Sequence, residues 1–185
     1  MQSRDVSLPA CVRAVPRNVA WSPGNPHVDP PSFEFLQVST WYVQCKAIEP
    51  VHTLLHDLQI DSHVISLQEL SDDLLHEGQS VTTKTLDDSL YVFGQPSGCF
   101  RQLALGFDDD LSAGVGSIHV GHSHLAATVL TDHFETATFV ALHLPHSRRP
   151  LQDLLDALTS LVGCLSEAAD KGTALILLGD FNDPL

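Results

Sequence analysis

The strongest constraint in the sequence is the helix encoded by PLQDLLDALTSLVGCLSEAADKG, residues 150–172, which lies between two apolar runs. Leu151, Leu154, Leu155, Leu158, Leu161, Val162 and Leu165 recur at helical spacing and predict one apolar face. Pro150 stands at the start, where a missing N–H costs nothing, and Gly172 stands where a C-terminal cap belongs. Before the helix, TATFVALHLPHS (136–147) reads as a strand that leaves His143 near its exit. After it, ALILL (174–178) reads as a strand buried on both faces.

The rest of the chain falls around that strand–helix–strand unit. FEFLQVSTWYVQC (33–45) is rich in β-formers. IEPVHTLLHDLQI follows, with Val51, Leu54, Leu55 and Leu58 on one helical stripe and Pro50 in the first turn. HVISLQEL (63–70) is a short β-branched run that ends in Gln68 and Glu69. SDDLLHEGQS and TKTLDDSL read as polar connections. YVFGQP, RQLALGF, VGSIHV and LAATVL read as short strands of an antiparallel meander. The expected fold class is mixed α/β (α+β), one domain over 32–185 with helices covering sheets. Residues 1–31 hold six of the eleven prolines and read as an irregular leader. Arg4, Arg13 and Arg17 give that leader a faint transit-peptide look, which Pro9 and Pro16 interrupt.

Composition narrows the function classes. The 185 residues are 43% hydrophobic and 17% charged, which is globular rather than disordered. No apolar run approaches the roughly 18 residues of a membrane span. Cys11, Cys45, Cys99 and Cys164 are scattered without a CxxC pair, so a disulfide framework or zinc knuckle is not indicated. A reducing, intracellular compartment (cytoplasm or nucleus) is the expectation. The net charge of −14 argues against a broad basic surface for polyphosphate. It leaves open a site that meets phosphate through a bound cation.

Three strand ends carry the candidate chemistry. Glu69 closes VISLQ, where a carboxylate beside the core is costly unless paired or bound to a hard cation. Asp180 and Asn182 follow ILLG at i, i+2, so their side chains share a side. Gly179 permits a sharp turn there, Phe181 is expected to anchor in the core, and an Asx-type turn is the plain alternative. His143 in LHLPHS is placed to protonate a leaving oxygen or to bind phosphate.

ISLQE (65–69), FVALHLPHS (139–147) and ILLGDFND (176–183), in that order, resemble the endonuclease/exonuclease/phosphatase superfamily of DNase-I-like phosphodiesterases. The HLPHS form is closest in look to the endonuclease domains of non-LTR retroelements. The resemblance implies a DNase-I-like four-layer α/β sandwich. It also implies Mg2+ (with Mn2+ possible) on Glu69 and Asp180, and phosphate contact or protonation by His143. Asp180 would orient or activate the attacking water, and Asn182 would stabilise the phosphoryl oxygens. A nucleic acid phosphodiester is the substrate it implies.

Two departures qualify that expectation. Tyr42 stands where the family's first strand carries an active-site Asn, and the family's closing Asp-His pair and C-terminal strands are not reached. A phosphodiesterase scaffold whose present chain is inactive or weakly active is therefore expected. The alternatives are a catalytically dead binding module or truncated retroelement product, and a phosphatase for inositol phosphate or a lipid headgroup.

Other motifs are weaker. HVGHSHL (119–125) packs three histidines that could share zinc, but reads better as a polar hairpin. GHSHL lacks the last glycine of a nucleophile elbow, GVGSIHVG misses dinucleotide-loop spacing, and the 108–110 and 71–73 acidic runs lack a calcium ladder.

Overall fold

The computed structural model describes residues 12–13, 36–58, 60, 62–71, 74–99, 101–130, 136–146 and 148–182. Most of the Pro-rich leader, and Asp183 after the DFN turn, lie outside the described residues. The described chain is a mixed α/β fold with two sheets and three helices.

The first sheet has six strands in the order β1-β2-β3-β6-β5-β4: β1 Val12–Arg13, β2 Gln37–Tyr42, β3 Val64–Leu70, β4 Val81–Leu86, β5 Ser89–Gly94 and β6 Gln102–Phe107. Helix α1, Ile48–Asp57, connects β2 to β3, which run parallel with Tyr42 opposite Gln68. The second sheet has four strands in the order β10-β9-β8-β7: β7 Val115–Val120, β8 His124–Val129, β9 Ala137–His143 and β10 Ala174–Asp180. Helix α3, Leu151–Asp170, connects β9 to β10, again parallel, with His143 opposite Asp180. A one-turn helix α2, Asp109–Ser112, begins where Asp108 accepts the Leu111 N–H. The acidic run 108–110 therefore caps and opens a helix rather than forming a plain turn.

Three apolar clusters hold these parts together. The largest joins the inner faces of both sheets, with Val92, Leu105 and Phe107 meeting Leu125, Phe139 and Leu178. Phe107 and Phe139 pack edge-on at 5.8 Å. A second cluster seats Ile48, Val51 and Leu55 of α1 against Leu67 and Phe93, and a third seats Leu161 of α3 against Val140 and Leu142. At about 25 cal/mol per Å2 of apolar surface, burial of these side chains is the main stabilising term.

Several local expectations change. TKTLDD is a strand and its hairpin turn, not a connection: β4 pairs with β5 from Val81↔Gly94 to Leu86↔Ser89. The expected meander is divided between the two sheets. Leu54 and Leu58 of α1 are exposed. In α3 the buried residues are Ala157, Leu161 and Ala168, while Leu151, Leu155, Leu158 and Val162 are exposed. ALILL is not buried on both faces: among the described residues β10 is an end strand, and only its Leu178 is buried. Gly172 does take the left-handed conformation after α3, at φ +68°. HVGHSHL is the β7–β8 hairpin. Among the described residues no helix is long and apolar enough to cross a membrane.

Candidate functional site

Both parallel strand pairs point their C-terminal ends to the same side of the molecule. Tyr42 ends β2, Glu69 lies next to the end of β3, His143 ends β9 and Asp180 ends β10. Together with Asn182 they line one cleft of about 600 Å3, whose wall also includes Arg101, His146 and Arg149. Four residues chosen from sequence, 113 positions apart at the extremes (Glu69 to Asn182), thus meet in one place.

Glu69 is presented by an irregularity. The register between β3 and β6 shifts between Leu67 and Leu70, which marks a bulge. Glu69 takes φ +59°, a left-handed conformation that costs a non-glycine residue about 1–3 kcal/mol. The turn is held because the Glu69 carbonyl accepts the Cys45 N–H at 2.8 Å and the Gln68 carbonyl accepts the Val43 N–H at 3.0 Å. Gln44, Cys45 and Asn182 are also left-handed. Apart from Asp87 in a hairpin turn, every left-handed non-glycine residue described belongs to this end of the fold.

Asp180 and Asn182 are set by a second tight turn. Gly179 has φ +142°, and a Cβ there would fall 2.0 Å from the Leu142 carbonyl oxygen, so glycine is required. Asp180 Oδ1 accepts the Asn182 N–H at 2.9 Å, an Asx turn, and the Asn182 amide donates to the Leu144 carbonyl at 2.6 Å. The expected core anchor is absent: Phe181 is exposed.

The two walls meet through His143. Its Nε2 lies 3.8 Å from Glu69 Oε1 and 4.0 Å from Asp180 Oδ2, and its ring sits edge-on to Tyr42 at 6.4 Å. Tyr42 donates its hydroxyl to Glu69 Oε2 at 2.5 Å. Partial burial, that hydrogen bond and the nearby carboxylates together push the Tyr42 pKa well above the usual phenol range. Cys99 stands on the same wall, its thiol 3.7 Å from the His143 carbonyl. Burial pushes its pKa up to about 11, so it is a thiol at neutral pH rather than a nucleophilic thiolate.

The expected Mg2+ or Mn2+ centre is overturned. Among the described residues, no group of three or more His, Cys, Asp or Glu side chains is placed to hold a metal ion. The local reason is visible in the hydrogen bonds. Tyr42 occupies one Glu69 oxygen, and one Asp180 oxygen closes its own turn. The remaining oxygens face an imidazole at ion-pair distance rather than a shared open point. The three histidines of the β7–β8 hairpin form no such group either.

Sequence reasoning missed the two arginines that line the cleft. Arg101 directly precedes β6, and Arg149 lies just beyond the HLPHS motif, before α3. A pair of arginines, 148 and 149, directly after that motif was the available signal. The cleft therefore carries both signs, its lining holding Glu69, Asp153 and Asp180 together with Arg101 and Arg149. Neither protein-family models nor curated proteins give a match to this chain.

Proposed function

We propose that the chain is a phosphoester-binding relative of the endonuclease/exonuclease/phosphatase superfamily, with hydrolysis weak or lost. The observation that carries this reading is the meeting of Glu69, His143, Asp180 and Asn182 in one cleft with two arginines. The order α1, sheet, sheet, α3, with an apolar cluster at each junction, is also what a DNase-I-like four-layer sandwich requires. Arg101 and Arg149 offer donors suited to phosphate oxygens. Glu69 and Asp180 offer acceptors for hydroxyl or amide groups beside the phosphate.

The Tyr42–Glu69 hydrogen bond supports the weak or absent hydrolysis. It draws on one oxygen of Glu69 and makes that carboxylate a weaker base than a free one, while its other oxygen can still accept from a ligand. The ligand class is a phosphoester, with the phosphodiester of a nucleic acid strand as the first source. The net charge of −14 favours a second, a short phosphoester such as an inositol phosphate, because a long polyanion is repelled by the rest of the surface.

The test uses labelled single- and double-stranded oligonucleotides and inositol phosphates, titrated at fixed salt. Binding of at least one of them is expected. It should weaken about tenfold or more when Arg101→Gln and Arg149→Gln are combined, since charge-assisted contacts carry about 1.5–3 kcal/mol. No binding by any of these ligands at millimolar concentration overturns the reading. Plasmid nicking with divalent cations supplied, abolished by Asp180→Ala, overturns the loss of hydrolysis.

A further inference from the structure

Tyr42 brings a phenol into the phosphoester cleft. It ends β2 opposite Gln68 of β3, and it is half exposed in the lining. Its hydroxyl donates to Glu69 Oε2 at 2.5 Å, and the Cys45 thiol reaches that same oxygen only at 3.9 Å. The bulge at Glu69 and its left-handed backbone carry the carboxylate to this position. Strain kept at a site marks a group whose placement matters there. A hydroxyl held against a carboxylate, in a cleft that also holds arginines, is the arrangement of a nucleophile with its base.

Other attackers on a phosphoester are placed less well. Burial keeps Cys99 a thiol, and its sulfur is turned to the His143 carbonyl. A water attacking here would meet a Glu69 that already holds the Tyr42 hydroxyl on one oxygen. Tyr42 itself rests as a phenol, because burial, the Glu69 hydrogen bond and the nearby Asp180 charge all oppose a phenolate. General-base catalysis needs no phenolate at rest, since the proton leaves only as the oxygen–phosphorus bond forms. The same two carboxylates repel a dianionic monoester more than a monoanionic diester, so a diester is the class this nucleophile takes.

On the reading that the cleft binds phosphoesters, we propose that Tyr42 is a nucleophile that takes a phosphodiester onto its own oxygen, with Glu69 as its base, making this a transfer site rather than a hydrolytic one. Tyr42 Oη bonds to phosphorus, and its proton passes to Glu69 Oε2. The bond from phosphorus to the leaving oxygen breaks. That oxygen keeps the electron pair and takes a proton from His143, whose Nε2 lies 3.8 Å from Glu69 Oε1 and 4.0 Å from Asp180 Oδ2. Arg101 and Arg149, in the same lining, supply donors for the non-bridging oxygens. Attack by a second alcohol reverses the steps. Its proton goes to His143, and Tyr42 recovers its own from Glu69.

The test gives the full chain the nitrophenyl diester of thymidine monophosphate, in EDTA to silence contaminating nucleases that need a cation. Binding is read separately by calorimetry with the unreactive methyl diester. The methyl diester is expected to bind. The nitrophenyl diester should release a single equivalent of nitrophenolate in a burst and then stop. Peptide mass spectrometry should place one nucleotidyl group on Tyr42. Tyr42→Phe should abolish burst and adduct at an unchanged melting temperature, and Glu69→Gln should slow the burst about a hundredfold or more. Nitrophenyl phosphate, a monoester, should react at least about tenfold more slowly, and an equal rate overturns the diester class. An adduct on a cysteine or on His143, or a burst that survives Tyr42→Phe, overturns the proposal. So does steady release past one equivalent without an adduct, in which water is the attacker. Binding of the methyl diester with no burst overturns the nucleophile and leaves the phosphoester reading standing, whereas no binding removes both.

Discussion

Tyr42 and Tyr91 are the only tyrosines in the chain, and both are held away from ionisation. Burial pushes Tyr91 up to about 12, aided by the Asp87 charge, and Tyr42 is raised by burial and by its bond to Glu69. Free tyrosine is half ionised at about pH 10. The native protein is therefore expected to show almost no phenolate absorbance at that pH, and full absorbance in denaturant. A native titration midpoint near that of free tyrosine would contradict the Tyr42–Glu69 bond or the enclosure of Tyr91. His124 is the second residue with a solution signature. It is almost wholly buried, neither ring nitrogen has a hydrogen-bond partner among the described residues, and the His119 ring lies 5.5 Å away. Burial, with His119 adding, lowers its pKa to about 4 from 6.5. The unfolded chain therefore takes up this proton first, and stability is full above about pH 6.5 and falls as pH drops toward 4. The loss is on the order of 3 kcal/mol for a group so enclosed. Urea denaturation at pH 7 and pH 5 captures about 2 kcal/mol of it, and His124→Phe should flatten the difference. The strand-end positions of Glu69, His143, Asp180 and Asn182 were legible in the sequence, because apolar runs ending in polar residues mark where a sheet meets solvent. What those groups do to one another was not legible. Spacing within a strand says nothing of a hydroxyl arriving from the neighbouring strand to cover Glu69.

Elements were legible where their period was clean. The β9–α3–β10 unit, the α1 helix and the β7–β8 hairpin all stand where apolar spacing put them. Helix α3 shows the limit of such reading. Seven apolar positions define a broad face, but small Ala157 and Ala168 allow close approach, so the helix seats on them with Leu161 and leaves Leu151, Leu155, Leu158 and Val162 outward. Strand β4 was hidden because an edge strand facing solvent can be mostly Thr and Lys, without the alternation that reveals a half-buried one. Its Lys84 pairs with Glu49 of α1, a contact between an edge strand and a helix that no local pattern announces. The turn after β10 carries a direct prediction. Gly179→Ala places a Cβ against the Leu142 carbonyl at a backbone angle hostile to side chains. It is expected to destabilise the protein by about 2–3 kcal/mol or more, measured as a lower urea midpoint at unchanged slope. Gly163→Ala in exposed α3, where an added methyl meets only open space, should instead stabilise by up to about 1 kcal/mol.

Across the whole molecule, 23 acidic side chains face 9 basic ones, and the excess repels itself in the folded state. Added salt should therefore stabilise. Between about 20 and 300 mM NaCl a gain on the order of 1 kcal/mol, a few degrees in Tm, is expected by calorimetry. Composition made this much plain, and the order of strand and helix patterns made the mixed α/β class with helices covering sheets plain as well. It could not show that two strand pairs from different sheets aim at one cleft, because that depends on how the sheets stack. The stacking has a mechanical consequence. Each sheet is zipped internally by backbone ladders, but at the mouth of the cleft the Glu69–His143 contact and the Cys99 thiol on the His143 carbonyl are side-chain bridges. The mouth is thus a seam. A molecule that grips Glu69 on one sheet and Asp180 or Asn182 on the other at once would act as a rivet across it, and its binding energy would oppose unfolding.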